Sequence, residues 1–408
     1  MSTPVLFVTW DGPDSPYLET LFLPVFRELT RSGFSFRVLQ FTWASEEHVQ
    51  RQARAAEAMG VGYTSFPVFR GPAAPSALAM IAAGAVAVGW HAKRHRAKVI
   101  LPRSILPAAM ALGARSIAKC ALSFDADGLP ADERVEFGGW STSGATYRVW
   151  RQIEARGVRA ADSVITRTEA AKEILLERAG RSVLADKIFV IPNARDPQSF
   201  SPGTEASRAA ARASWGATRD EPCLLYAGSI GPQYFPDEML SLFERVRAKR
   251  RDARFVVLTR NIEALRSALR RVVVDESRVV VRAVEASDVA SHIAAADTGL
   301  ALRALTFSQR AVSPVKVSEY LLCGLPVVAT PVGDLEQQVD AGAGLFVAEP
   351  SPENLDRAAS WFVNDVIPNR DAMRTQSRES GLRHFSLDTA AERTRAALEF
   401  ACVRAEGR

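Results

Sequence analysis

The sequence predicts an α/β protein built from two Rossmann-like domains that face a central cleft. Three observations carry this expectation. The chain has 408 residues, too many for one ordinary domain and suited to two of roughly 150–200 residues. Short β-branched or apolar runs alternate with longer amphipathic stretches throughout, which is the rhythm of βα units. A turn-rich run from Pro192 through Pro197 to Ser201-Pro202-Gly203 divides the alternation in two. Two similar sheets then bring the carboxyl ends of their strands toward a shared ligand site.

The elements follow in order. In the first half, strands are expected near 4–9, 35–41, 63–68, 98–101, 120–124, 163–166 and 188–191. Helices fit between them near 17–32, 46–59, 75–94, 105–116, 142–159 and 169–178. After the linker a short helix, 205–214, leads to strands near 223–227, 254–258, 279–281, 298–301, 326–329 and 345–347. Their helices lie near 236–250, 261–271, 286–295, 314–323, 335–340 and 352–363. The tail, 371–404, reads helical with a break at Phe385-Ser386. The domain boundaries are 1–195, 196–375 and a helical tail, 376–408.

Charge narrows the partners. The net charge is +5, and residues 1–200 hold 24 Lys/Arg against 19 Asp/Glu, whereas 201–408 hold 27 of each. No carboxylate occurs between Glu57 and Asp125, a stretch that carries Arg70, Lys93, Arg94, Arg96, Lys98, Arg103, Arg115 and Lys119. A field of one sign attracts an anionic partner. Within this stretch Ser76–Trp90 is free of charge but is shorter than the roughly 20 residues of a membrane span. It reads either as a buried helix or as an interfacial helix, with Trp90, Lys93, Arg94, Arg96 and Lys98 facing lipid headgroups. A nucleic-acid interface is not expected, because no aromatic residues interleave with the basic ones. The four cysteines form no Cys-x-x-Cys pair, which argues against zinc and a disulfide framework and fits a reducing cytosol. The N-terminus runs straight into the strand Val5-Leu6-Phe7-Val8 rather than a signal peptide.

Several chemistries drop out. The first βα turn has a single glycine, Gly12, so no dinucleotide fingerprint is present, and there is no P-loop, His-Glu-x-x-His or Gly-x-Ser-x-Gly motif. The informative stretch is Ser313-Pro314-Val315-Lys316-Val317-Ser318-Glu319-Tyr320, continuing to Gly324-Leu325-Pro326-Val327-Val328-Ala329. It reads as a helix opened by proline, stopped by glycine and followed by a strand. The free amides at its start, near Val315 and Lys316, suit a phosphate. Lys316 in the first turn opposes the helix dipole unless an anion compensates it. Glu319 is placed to hold a vicinal diol; the plain alternative is a Lys–Glu pair on a solvated helix face.

With this stretch the chain resembles glycosyltransferases of the GT-B fold, similar to family 4, whose second domain carries a Pro-x-Lys-x-x-Glu segment of this form. Lys98–Ser104, Ala121–Val135, Ala161–Thr168, Val190–Asn193 and Leu225–Gly231 extend the likeness over most of the chain. The resemblance implies an acceptor-binding domain over 1–195, a nucleotide-sugar domain over 196–375, and a C-terminal helix crossing back to the first domain. It implies donor contacts at Gly12, Gly228, Ser229, Arg260, Arg310, Ser313, Pro314, Val315, Lys316 and Glu319. Acceptor contacts fall at Arg103, Ser104, Asp125 and Arg134. Asp125, Lys316 and Glu319 are expected to take part in catalysis, with Glu319 on the ribose hydroxyls and Asp125 facing the acceptor or the transferring sugar. No metal or other cofactor is expected beyond the UDP or GDP sugar, and configuration is retained through attack assisted by the leaving group.

The chain departs from the pattern at telling places. Ala311 stands where family 4 commonly has the first Glu of a Glu-x7-Glu pair, leaving Gln309 or Arg310 to replace it. Ser229 and Gln233 stand near the positions of the usual Arg/Lys pair that clamps the diphosphate, so Lys316, Arg260 and Arg310 are the remaining cations for that charge. Asp127 stands where Arg is common. The expected function is a hexosyltransferase acting on a lipid-linked or polysaccharide acceptor, peripheral at the inner face of the cell membrane. The rivals are a transferase for a soluble small molecule and a non-enzymatic nucleotide-sugar-binding or scaffold protein.

Overall fold

The computed structural model describes residues 2–13, 15–69, 73–180 and 183–407, with backbone alone at 73–77. Arg70 of the basic stretch lies outside the described residues. Two compact units emerge. The first gathers the chain up to Pro192, the short run Phe307–Val312 and the stretch from Leu387 onward; the second holds Asn193–Thr306 and Ser313–Ser386.

The first unit is built on seven parallel strands: β1 (Thr3–Trp10), β2 (Phe34–Thr42), β3 (Gly62–Pro67), β4 (Val99–Pro102), β5 (Ala121–Asp125), β6 (Ser163–Thr166) and β7 (Ile188–Val190). Their order is β3-β2-β1-β4-β5-β6-β7, the doubly wound arrangement with its switch beside β1. Val5–Val8 are buried on both faces of the sheet, which is why β1 reads as a continuous apolar run rather than an alternating one. The edge strand β3 ends at Pro67, where no ladder donor is needed. The C-terminal helix Leu387–Glu406 packs on β5, β6, β7 and the helix Leu23–Arg31.

The second unit repeats the plan with β8 (Cys223–Ala227), β9 (Arg254–Leu258), β10 (Val279–Arg282), β11 (Thr298–Ala301), β12 (Val327–Ala329) and β13 (Gly344–Phe346), in the order β10-β9-β8-β11-β12-β13. Alternate residues of β8 feed two cores: Leu225 and Ala227 join one face, Leu224 and Tyr226 the other. Both units are therefore Rossmann-like, as the sequence predicts.

Three segments differ from the expectation. Residues 376–386, expected in the tail on the first domain, belong to the second unit, where the helix Arg370–Phe385 ends. Residues 130–138, read as part of a motif rather than as structure, form the helix Pro130–Gly138; Pro130 opens it, Asp132 and Glu133 suit its first turn, and Gly139 closes it. Residues 307–312, in the middle of the second domain by sequence, pack with the first unit. There Ser308 donates to Glu136, and Thr168 Oγ1 donates to the Arg310 carbonyl at 2.8 Å.

The charge-free run at 76–90 is buried along one side and exposed along the other. It lies within the helix Ala73–Arg94, which packs against Ile105–Ala114 at close range. A methyl group on Gly84 or Gly89 would meet Met110 or Ile117 at under 3 Å, so the small residues are what let the helices approach. Met80, Val88 and Ala92 are buried in the core of the first unit, while Leu78, Val86 and Trp90 remain 66%, 62% and 53% exposed. No described helix is long and apolar enough to cross a membrane.

Candidate functional site

In the second unit the site begins where β8 ends. Gly228 adopts φ +137, a backbone state that L side chains rarely enter, and it turns the chain toward the helix Val315–Leu322. That helix is fixed by Tyr320, whose ring lies against Gly299 and whose hydroxyl accepts the Ala227 N–H at 2.8 Å. A side chain on Gly299 would collide with the ring at 2.4 Å. One turn back along the helix is Lys316, and a methyl group on Gly228 would sit 3.3 Å from its Nζ.

Lys316 is only 8% exposed, and its ammonium has no hydrogen-bond partner among the described residues. It lies 3.9 Å from the ring centre of Tyr226 and 4.2 Å from that of Tyr234. Ring faces attract a cation, but they do not replace a counterion. Arg303 adds a second positive group: its guanidinium lies 4.9 Å from the other partner ring, Tyr234, and donates to the phenol at 3.4 Å. Burial first, and the repulsion of Arg303 second, push the Lys316 pKa well below the ordinary lysine value, with Glu319 opposing them. A buried ammonium without a partner is costly, and an anion is what would relieve it.

Glu319 is not the partner of Lys316. Its Oε1 is held by Arg195, through Nη2 at 2.7 Å and Nε at 2.8 Å. The alternative of a Lys–Glu pair on a solvated face is therefore corrected: Lys316 is buried and Glu319 pairs elsewhere. Ser313 is buried against the linker, its Oγ and carbonyl accepting the backbone and side-chain N–H groups of Asn193 at 3.1 and 2.7 Å. Pro314 caps the helix and Val315 opens it. Ser229 is exposed, and its carbonyl accepts the Tyr226 hydroxyl at 2.5 Å. Arg260 is exposed just beyond β9. Arg310, grouped by sequence with the donor residues of the second domain, belongs to the first unit, where its guanidinium stacks 5.7 Å from the Phe307 ring. Gln309 is buried there as well.

The first unit collects a different cluster at the carboxyl ends of β1, β4, β5 and β6. Arg103 donates to Asp11 Oδ1 at 3.0 Å and to Asp127 Oδ2 at 2.5 Å. Arg167 holds both oxygens of Asp125, at 2.8 and 2.7 Å, and reaches Asp127 at 3.3 Å. Tyr17 and Phe22 each present a ring 5.0 Å from the Arg103 guanidinium. Ser104 donates its N–H to the Asp125 carbonyl at 2.9 Å, from a left-handed φ of +69. Burial raises the Asp125 pKa beyond what Arg167 offsets, whereas Arg103 and Arg167 outweigh burial at Asp127 and hold it low.

This arrangement corrects two expectations. Asp125 is 3% exposed with both oxygens taken, so its carboxylate does not face outward as expected. Arg103 spends both terminal nitrogens on internal carboxylates, which leaves only its buried Nε without a partner. Asp127, found where the pattern has Arg, is the more open carboxylate of the cluster, with its side chain 26% exposed. Arg134 is exposed on the helix Pro130–Gly138, and its neighbour Asp132 makes the buried contacts, to Arg178 and Tyr147. Gly12 follows Asp11 and packs so closely on Trp43 that a methyl group there would lie 2.5 Å from the indole. Among the described residues, no group of three or more His, Cys, Asp and Glu side chains is placed to hold a metal ion.

On the helix Ala73–Arg94 the exposed Trp90 ring carries the Arg94 guanidinium at 5.2 Å, and Lys93, Arg96 and Lys98 are exposed nearby. His91 and His95 stack at 5.8 Å, and burial pushes both pKa values down. Both are partly buried rather than plain surface residues.

Arg303, Arg167 and Arg195 escaped the sequence reading. Arg303 ends an otherwise apolar run, Leu300-Ala301-Leu302, which is a weak signal of its own. It meets the tyrosines because the loop after β8 runs beside the loop after β11, through the Tyr234–Arg303 bridge and the Ala304 N–H donated to the Gln233 carbonyl.

Comparison with known proteins agrees with this architecture. Residues 221–365 match the family model described as glycosyl transferases group 1, and residues 19–194 match the glycosyl transferase 4-like domain. The chain is 29% identical over 232 residues to a D-inositol 3-phosphate glycosyltransferase of Kineococcus radiotolerans, covering 52% of this chain and 51% of that one. It is 26% identical over 209 residues to a GDP-mannose-dependent monoacylated alpha-(1-6)-phosphatidylinositol monomannoside mannosyltransferase of Corynebacterium glutamicum, covering 50% and 54%. The match thus spans about half the length of these curated relatives. Among solved structures, Anabaena HepE in complex with UDP and glucose superposes with a TM-score of 0.72 at 16% identity, covering 97% of this chain and 99% of that one.

Proposed function

The chain belongs to the glycosyltransferases of GT-B fold and family-4 type, and from that premise we propose that it transfers a hexose from a UDP or GDP sugar to a lipid-linked or polysaccharide acceptor. The observation that carries the reading is the buried Lys316 ammonium, without a hydrogen-bond partner among the described residues, beside Gly228 and the start of a helix. A departing diphosphate supplies the anion that this cation lacks. In a water-poor site the attraction is several times stronger than in bulk water, and it is preorganised before the charge develops. Lys316 and Arg303 then do the work of the Arg/Lys pair that Ser229 and Gln233 do not provide. Glu319, oriented by Arg195, accepts the ribose hydroxyls.

In the step itself the acceptor oxygen bonds to the anomeric carbon on the face the diphosphate leaves. The anomeric C–O bond breaks, its electron pair goes to the phosphate oxygen, and that oxygen takes the acceptor's proton. Configuration is retained, and neither a protein nucleophile nor a metal is needed. Asp127 and Ser104 are proposed to meet the acceptor, with Asp125 and Arg103 as the frame behind them; Arg134 and Arg310 are the exposed cations offered to substrate phosphates. The same reading places the protein at the cytoplasmic membrane surface. Support comes from the apolar stripe of Leu78, Val86 and Trp90, which ends in Lys93 and Arg94, the composition of an interfacial helix.

The test is calorimetry of UDP, GDP and their hexose conjugates against the wild type and Lys316→Ala. The reading expects at least a tenfold loss of affinity; unchanged affinity overturns it. A second reading, a nucleotide-sugar-binding protein without turnover, is favoured by Ala311 in place of the usual Glu. Slow release of free hexose from a bound donor would exclude it.

A further inference from the structure

A groove in the first unit shares no residue with either charged cluster. It runs between the helices Ala73–Arg94, Ile105–Ala114 and Ala145–Ala160, with a volume of about 620 Å³, within the range of small-molecule sites. Leu78, Ala109, Leu112 and Ile153 supply an apolar floor, and Arg156 and Arg159 stand along one side. The two arginines are three residues apart on their helix and so share a face. Both are exposed. Arg115 reaches the same helix end, donating to the Ala160 carbonyl at 2.7 Å. Among the described residues, no carboxylate lines the groove.

An apolar floor alone would accept any greasy ligand. A floor with a cationic wall on one side selects an amphiphile: a hydrocarbon chain with an anionic head. Continuity with a second feature points the same way. Leu78 is at once a groove residue and the first member of the exposed stripe that runs through Val86 to Trp90. A chain leaving a bilayer that touches the stripe would enter the groove without crossing a polar barrier. We infer that this groove holds the hydrocarbon chain of one anionic lipid, with its phosphate against Arg156 and Arg159. The inference rests on the membrane part of the proposed function and adds a stoichiometric lipid site to it.

The probe is dodecyl phosphate below its micellar concentration, titrated into the full chain by calorimetry. One saturable site is expected. Ala109→Trp and Leu112→Trp, at two half-buried positions of the floor, should each abolish it, with circular dichroism confirming the fold. Arg156→Glu should weaken dodecyl phosphate at least tenfold and leave a neutral dodecyl glycoside unaffected. Absence of saturable binding overturns the proposal, as does binding that survives both tryptophan variants or inorganic phosphate binding as tightly as the alkyl phosphate. Self-association abolished by Leu112→Trp, without dodecyl phosphate binding, would assign the groove to a second copy of the chain and overturn it too. Sedimentation with anionic vesicles keeps the two ideas apart. Wild type that sediments but takes up no dodecyl phosphate loses the groove and keeps the membrane reading. Wild type that binds the amphiphile but never sediments loses the membrane reading alone.

Discussion

The two units each bury charge at the ends of their strands, and they do so in opposite ways. In the first unit Asp11, Asp125 and Asp127 are interlocked with Arg103 and Arg167, so nearly every charged atom has a partner within the chain. In the second unit Lys316 is equally buried and faces two tyrosine rings and another cation. A satisfied network holds a shape; an unsatisfied charge waits for something. The first is the arrangement of a frame, and the second is where the proposed donor site lies.

The contrast is broken most severely in the frame. Arg167→Ala strands the Asp125 carboxylate in the interior, and removing one partner of a buried pair typically costs about 3–5 kcal/mol. Chemical denaturation should show a loss of that size. A loss under about 1 kcal/mol, the range of exposed ion pairs, would mean that the network is not acting as a frame.

At Lys316 the same kind of change should have the reverse sign on stability. Lys316→Met keeps the volume and removes an uncompensated charge, so the unliganded protein should melt at the same temperature or higher. Turnover with nucleotide sugar should fall by about 10²–10³, the usual cost of deleting one preorganised donor to a developing negative charge. A variant both less stable and fully active would refute the assignment.

pH sharpens the comparison further. The Lys316 pKa is lowered in the folded chain, by burial and then Arg303, with Glu319 opposing; Tyr226 and Tyr234 present their rings to it. A base with a lowered folded pKa is charged less in the folded state than in the unfolded one. Between the lowered pKa and the ordinary lysine value the unfolded state binds more protons, so stability without ligand should rise with pH in that window. A bound diphosphate favours the charged form, so donor affinity should fall over the same window while binding takes up a proton. Calorimetry in buffers of different ionisation enthalpy measures that uptake, and Lys316→Met should abolish it.

The smallest effect belongs to charges that stay in water. Lys93→Gln and Arg94→Gln should weaken binding to anionic vesicles by about 1 kcal/mol per cation removed, and added salt should erode the remainder. Vesicle binding insensitive to salt would detach these residues from the membrane.

Much of the fold was readable because burial on both faces leaves an unmistakable trace. Val5–Val8, Cys223–Ala227 and Arg254–Leu258 are nearly continuous apolar runs, and each became a strand within a residue or two of its expected bounds. The helix Pro130–Gly138 was missed because its nine residues carry no apolar period long enough to register, although Pro130 and Gly139 mark its two ends. Within the candidate site Lys316 and Glu319 stood out by their spacing, but their partners did not. Arg195 reaches Glu319 across 124 residues of chain, and Arg303 meets Tyr234 through a bridge between two loops. Such pairings depend on which loops adjoin, which no local pattern records. The charge network was misread for the same reason: Arg103 and Asp125 look like free ligands until Asp11, Asp127 and Arg167 are brought beside them.

The division of the chain between the units has a consequence for how the protein is made. The first unit is closed by the helix Leu387–Glu406, in which Ala397, Leu398 and Ala401 are fully buried, and by the run 307–312. A ribosome delivers the run 307–312 with Ser313–Ser386 still to come, and the helix only after the whole of the second unit has been synthesised. Until then the first unit keeps open an apolar seat on β5, β6 and β7, while the second can assemble once residue 386 has emerged. The half that starts first therefore finishes last, and the interval of translation between residues 192 and 387 is the period in which this chain most needs protection from aggregation.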